Sequence, residues 1–176
     1  LSGRGFRSSG DHLEKSIENI KKQYPNRFLL FTNVDFTDID NPEWAARQAK
    51  QVEDDVKRGA KGLKVYKSLG LFSRDKAGKV IPIDDPRIDP IWKKCGELGI
   101  PVLIHSADPR QFWQPIDSLN ERWLELKLFP GRRHTKDSIS WEQVMAQQHN
   151  LFRKHPKTKF ISAHLSWYGG DLKKLG

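Results

Sequence analysis

IPVLIHSAD, residues 100–108, is the stretch that decides the fold. Ile100, Val102, Leu103 and Ile104 form an apolar, β-branched run that reads as a buried strand. The run then ends in an imidazole, His105, with Ser106 and Asp108 behind it. KFISAHLSW, residues 159–167, repeats the arrangement, with His164 after a second apolar run. Either two core strands happen to end in histidine, or two strand ends point nitrogen ligands at one place.

Working outward, helices and strands alternate. GDHLEKSIENIKKQYP (10–25) carries Leu13, Ile17, Ile20 and Tyr24 on one helical face. Asp11 and Glu14 suggest a capping box, and Pro25 a stop. RFLLFTNVDF (27–36) reads as a strand. Asn41-Pro42 opens a second helix with Ala45, Ala49, Val52 and Val56 inward, ended by Gly59. GLKVYKSLGLF (62–72) is the next strand, followed by a turn or small hairpin around Ala77-Gly78. Asp85-Pro86 starts a third helix that presents Ile88, Ile91, Trp92, Cys95 and Leu98, and Gly99 closes it before 100–108. Ser140 and Gln143 make a capping box for a helix carrying Val144, Met145, Leu151 and Phe152. Pro156 ends that helix, and 159–167 is the fourth full strand.

Alternation with short connections argues for βα units and a parallel sheet, whose strands read as nearly unbroken apolar runs. One connection is long. Residues 109–139 hold Phe112, Trp113, Trp123 and Phe129 among Arg110, Arg122, Arg132 and Arg133. A connection of that length in a compact domain is usually a functional lid. DSLNERWLEL within it suggests a short helix. The expected organisation is therefore one domain over 1–176 with a lid-like insertion at 109–139.

Composition narrows the partners. The net charge is +9, and the whole excess falls in residues 61–176. That balance suits anionic substrates. The basic residues are scattered, so a solvated surface fits better than a nucleic-acid face. No apolar run is long enough to span a membrane. The single cysteine, Cys95, excludes an internal disulfide and reads as a small core hydrophobe. The chain opens without methionine, on LSG, which looks like a strand end. It closes on GGDLKKLG, which looks like a helix starting. A fragment of a longer protein is the expectation, with the cytoplasm as default location because the true N-terminus is absent.

Reactive groups in parallel α/β barrels collect at the C-terminal ends of strands. Here those ends offer Asn33 and Asp35, then Lys64 and Lys67, then His105, Ser106 and Asp108, then His164 and Ser166. Neutral imidazole is the commonest protein ligand for zinc and similar ions. A lone strand-end histidine is more often structural, but two at equivalent places favour a metal site. Asp108 could be a third ligand, although Asp108-Pro109 reads equally as a turn. His12, His134, His149 and His155 carry no such signal. GxSxG, P-loop and GxGxxG patterns are absent. LSGRGFRSSG (1–10) could hold an anion, but its spacing fits no phosphate loop.

GLKVYKSLG (62–70), DDPRIDPIWKKCGELGIPVLIHSAD (84–108) and FISAHLSWYGGDL (160–172) resemble the amidohydrolase-related metal-dependent hydrolases. That group includes aminocarboxymuconate-semialdehyde decarboxylase. The resemblance implies an α/β fold, a partial (β/α)₈ TIM barrel holding about strands three to six of eight, with LSG ending the second. It makes His105 the fifth-strand metal ligand. His164 becomes the sixth-strand histidine, which binds metal or acts as acid and base on the metal-bound water. The group's first-strand HxH and eighth-strand aspartate lie outside this chain, so the piece alone is expected to be inactive. The usual AHLGG is stretched here to AHLSWYGG.

The implied function is hydrolysis of a small, anionic carbonyl substrate by metal-activated water, with zinc as the expected ion. Lys64 and Lys67 would meet a substrate carboxylate, and Trp113 would cover it. Nonhydrolytic decarboxylation at the same site is the alternative. A noncatalytic basic protein for single-stranded nucleic acid is a distant second, and no nucleic-acid motif supports it. Half a barrel leaves two sheet edges unpaired, so pairing with another copy is also expected.

Overall fold

The computed structural model describes residues 8–170 and residue 173. The two readings of LSG as a strand end and of the last residues as a helix start lie outside the described residues, as does most of the glycine-rich segment 1–10.

Three helices precede or separate the first strands. α1 spans Gly10–Gln23 and buries Leu13 and Ile17. Its N-cap is Ser9, and no side chain caps it, so Asp11 serves only as first-turn negative charge. α2 spans Trp44–Arg58, with Trp44, Ala49 and Val52 buried, and ends at Gly59 with φ 122°. Asn41 opens its approach, accepting the Glu43 N–H at 2.9 Å. β1, Leu63–Val65, follows. The expected small hairpin is present as an antiparallel bridge between Arg74 and Val80. Asp85 then caps a 3₁₀ turn, Pro86–Ile88, which runs into α3, Asp89–Glu97.

β2 is Val102–Ile104. The 109–139 connection contains α4, Trp123–Leu128, and single 3₁₀ turns at Arg110–Trp113 and Pro130–Arg132. α5, Trp141–Lys154, starts at a complete Ser140/Gln143 capping box. β3, Phe160–Ser162, comes last.

The strands are parallel in the order β1-β2-β3, with Lys64, Leu103 and Ile161 in register. The run expected as the first strand is shorter than its sequence suggests. Only Thr32 bridges, to Leu63. Yet Lys61 N–H donates to Leu30 O at 2.8 Å, Thr32 N–H to Gly62 O at 2.9 Å and Lys64 N–H to Thr32 O at 2.8 Å. This extended segment thus lies along β1 as a fourth member. Phe28 and Leu29 ahead of it are exposed because they precede the ladder.

Side chains alternate across each strand. Leu63, Val65, Val102 and Ile104 are buried in the main core with Val52, Ile91, Trp92, Cys95, Val144 and Leu151. The other face, with Lys64, Leu103 and Ile161, is more open. The apolar runs therefore cover one face fully and the other partly.

A polar knot fastens the N-terminal elements. Asp55 on α2 is fully buried. It accepts from Gly10 N–H at 2.9 Å, Thr32 Oγ1 at 2.5 Å, Gln51 Nε2 at 2.5 Å and Arg58 at 3.1 Å. Four donors on one carboxylate offset much of the cost of its burial. After β3 the backbone turns left-handed: His164, Leu165, Ser166 and Trp167 have φ of 58°, 52°, 52° and 59°.

Candidate metal centre

His105 follows β2 directly, and its N–H donates to Val65 O at 3.0 Å, extending the ladder. Alternation puts its ring on the open face with Leu103. His164 stands two residues past β3, at the start of the left-handed turn. The two rings meet edge to face with centroids 4.6 Å apart.

Trp167 closes over both. Its indole stacks on His164 at 4.4 Å and 22°, and lies 5.9 Å from the His105 ring. Its Nε1–H donates to Ser106 O at 3.0 Å. Beneath the pair, buried Gln148 on α5 donates to Ser106 Oγ at 2.9 Å and Ser162 Oγ at 3.1 Å. One amide thereby ties the ends of β2 and β3 together.

The electrostatics suit a lone-pair donor. His105 is pushed down to about 4, first by burial, then by the neighbouring His164 and the charges of Lys64 and Lys67, against a smaller opposing effect of Asp108. Its Nε2 is buried and has no hydrogen-bond partner among the described residues. Such an orphan costs free energy unless something occupies it. A neutral, unpartnered imidazole nitrogen beside a second imidazole fits a divalent metal ion. Among the described residues no group of three His, Cys, Asp or Glu side chains gathers. The two imidazoles alone fall short of the roughly three protein ligands that a catalytic zinc site takes.

The other candidates fall around this pair. Lys64 lies 5.4 Å from the Tyr66 ring, and burial lowers its pKa. Lys67 Nζ donates to Asp108 Oδ1. Asp108 also accepts from His134 Nε2 at 3.0 Å, so each of its oxygens already takes one hydrogen bond. Burial raises the Asp108 pKa, but hydrogen bonds from His134 and Lys67 outweigh it and hold the carboxyl below its usual range. Trp113 is not stacked on the histidine pair. It stacks on His134 at 3.9 Å and 12° and donates to Ile139 O at 2.9 Å. Asn33 is structural, donating to Lys64 O at 2.9 Å.

Sequence reasoning passed over His134 and Gln148. Neither has a local signal. His134 bonds to Asp108, 26 positions away, and Gln148 to Ser106 and Ser162, 42 and 14 positions away, so only the fold reveals them. The aromatic density around His134 in 109–139 was the nearest hint.

A profile of the amidohydrolase family matches residues 21–175. The chain belongs to that family. The chain shares its fold with 2,6-dihydroxybenzoate decarboxylase from Rhizobium, at TM-score 0.55 and 18% identity over 88% of this chain and 44% of that one. It also matches a dihydroxybenzoic acid decarboxylase from Polaromonas sp. JS666, at TM-score 0.55 and 20% identity over 88% and 42%. That structure contains manganese and 2-nitroresorcinol. A TIM-barrel protein from Bordetella bronchiseptica matches at TM-score 0.53 and 12% identity over 92% and 44%. The chain is also 34% identical over 62 residues to the uncharacterised YvrJ of Bacillus subtilis, which is 35% of this chain and 55% of that one. The chain spans less than half the length of the decarboxylases it matches. Its sheet is part of a TIM barrel, and the open face of Lys64, Leu103 and Ile161 is the one that points to the barrel axis. No helix among the described residues is long and apolar enough to cross a membrane.

Proposed function

We propose that this protein holds a divalent ion with His105 and His164 and works on the carbonyl or carboxyl carbon of a small anionic molecule. The observation that carries the reading is the 4.6 Å approach of the two imidazoles from separate strand ends. An ion bound there would lower the pKa of a coordinated water towards about 7 and polarise a carbonyl oxygen.

His105 serves as a ligand because burial keeps its ring neutral. His164 is more exposed, and it orients the attacking water or moves its proton. The Trp167 indole fixes the plane of the His164 ring and excludes water from one face of it. Lys64 and Lys67 hold the substrate's carboxylate. Residues 109–139, with Trp113, act as a lid on a single domain.

Hydrolysis is the first reading. Decarboxylation is the second, favoured by two lysines beside the histidine pair, which suit a substrate that carries its own carboxylate. The decarboxylase activity of the structural relatives points the same way. Zinc suits imidazole ligands, while manganese is what the Polaromonas relative holds. The test uses the full-length protein loaded with either ion. Hydroxybenzoates are screened for carbon dioxide release, and lactones and amides for hydrolysis. Replacing both His105 and His164 with alanine is expected to abolish turnover and metal retention together. Metal and activity that survive the double replacement reject the reading.

A further inference from the structure

Three side chains from three parts of the chain form one line. Lys67 follows β1, Asp108 follows β2, and His134 comes from the 109–139 connection. Lys67 and His134 take one oxygen each of the Asp108 carboxylate. Exposure falls sharply along the line: the side chain of Lys67 is 40% exposed, while those of Asp108 and His134 are 6% each. An ammonium has three N–H donors, so Lys67 keeps two for another acceptor after binding Asp108. The buried end is held rigidly. His134 lies between Trp113, at 3.9 Å, and Phe72, at 6.0 Å, both nearly parallel to it. Its backbone N–H donates to Phe112 O at 3.0 Å.

We propose that His134 is a positioning residue: acting through Asp108 it aims Lys67, so recognition of the substrate's anionic group requires the lid to be seated. This rests on the reading of Lys67 as an anion contact. A buried aspartate needs partners wherever it occurs, but two partners of such unequal exposure do more than satisfy it. They couple a lid residue to the one cation of the three side chains that reaches solvent. If the lid lifts, Asp108 loses His134 and is free to rotate, carrying the Lys67 ammonium with it.

The test is calorimetric titration of benzoate and of its neutral isostere benzamide into the full-length, metal-replete protein. His134→Phe keeps a flat ring between Trp113 and Phe72 but removes the donor. His134→Gln keeps an N–H donor. Lys67→Met and His134→Phe are each expected to weaken benzoate about tenfold or more, since each loses a charge-assisted hydrogen bond or its support. Benzamide binding should change less than about twofold. The double variant should bind benzoate no worse than Lys67→Met alone, and His134→Gln should recover most of the loss. Equal weakening of both ligands by His134→Phe, or full additivity with Lys67→Met, overturns the proposal. If Lys67→Met leaves benzoate unchanged, or wild type fails to bind it, the anion reading fails first and this inference falls with it.

Discussion

Gly62 offers a stringent test of how β1 and β2 pair. A Cβ placed there would meet the Phe31 ring at 2.6 and 2.7 Å and the Pro101 carbonyl oxygen at 2.8 Å. The Phe31 ring can turn away. The Pro101 carbonyl cannot, because it accepts the Leu63 N–H at 3.0 Å and so forms the first rung between β1 and β2. Gly62→Ala must therefore bend the ladder that places Lys64 and Lys67 beside His105. Overpacking of this kind costs about 1–3 kcal/mol, and a backbone contact belongs at the upper end. Gly78 is the control. It has φ of 77° and nothing within 4 Å of an added Cβ, so Gly78→Ala suffers only the left-handed penalty. That penalty is about 1 kcal/mol. Equilibrium urea unfolding measures both. With m of about 2–3 kcal/mol per molar, Gly62→Ala should lower the midpoint by about 1 M, and Gly78→Ala by under half that. A Gly62→Ala variant within about 0.5 kcal/mol of wild type, or more stable than Gly78→Ala, refutes the packing argument.

His105→Ala should weaken divalent-ion affinity at least tenfold, read by competition with a chromogenic chelator; unchanged affinity removes His105 from the ligand set. Proton NMR of the metal-free protein should show the His105 ring titrating at about 4. Because that pKa lies below the ordinary 6.5, the unfolded chain binds the proton more readily. The His105 contribution to stability is then complete above about pH 6.5 and lost as pH falls towards 4. Urea midpoints at pH 7 and pH 5 should diverge more in wild type than in His105→Gln, and equal divergence contradicts the shift. Asp55→Ala should cost about 3–5 kcal/mol, because it strands the buried partners of a carboxylate with four donors. A loss under about 1 kcal/mol by thermal or urea unfolding would mean that water replaces the carboxylate there.

The order of elements was legible because apolar periodicity reports burial. Val52, Ile91, Trp92 and Val144 all lie in the core where spacing puts them. The convergence of His105 and His164 was legible only in part: neighbouring parallel strands bring their ends together, but the register that sets Ile104 opposite Ser162 places His105 against Ala163, and His164 comes one residue later, in the left-handed turn. Strand lengths were not legible. RFLLFTNVDF looks like ten residues of strand, yet among the described residues its backbone hydrogen bonds to the β1 segment run only from Leu30 to Thr32. Apolar composition does not say where a ladder stops. Polar networks were hidden too. Asp108, His134 and Gln148 are defined by partners far along the chain, and Asp55 adds Gly10 and Thr32 to its two neighbours on α2; no local pattern marks a buried polar residue whose needs are met from elsewhere.

The left-handed run at His164–Trp167 bears on how this sequence can change. A left-handed residue with a Cβ costs roughly 1–2 kcal/mol, and glycine or asparagine escapes most of that. Leu165 and Ser166 are thus places where replacement should pay back folding energy rather than spend it. A library randomised at those codons and sorted for thermal resistance should fill with glycine and asparagine. Sorted instead for turnover, it should keep bulk, since a slackened bend would let the imidazole and the indole drift apart.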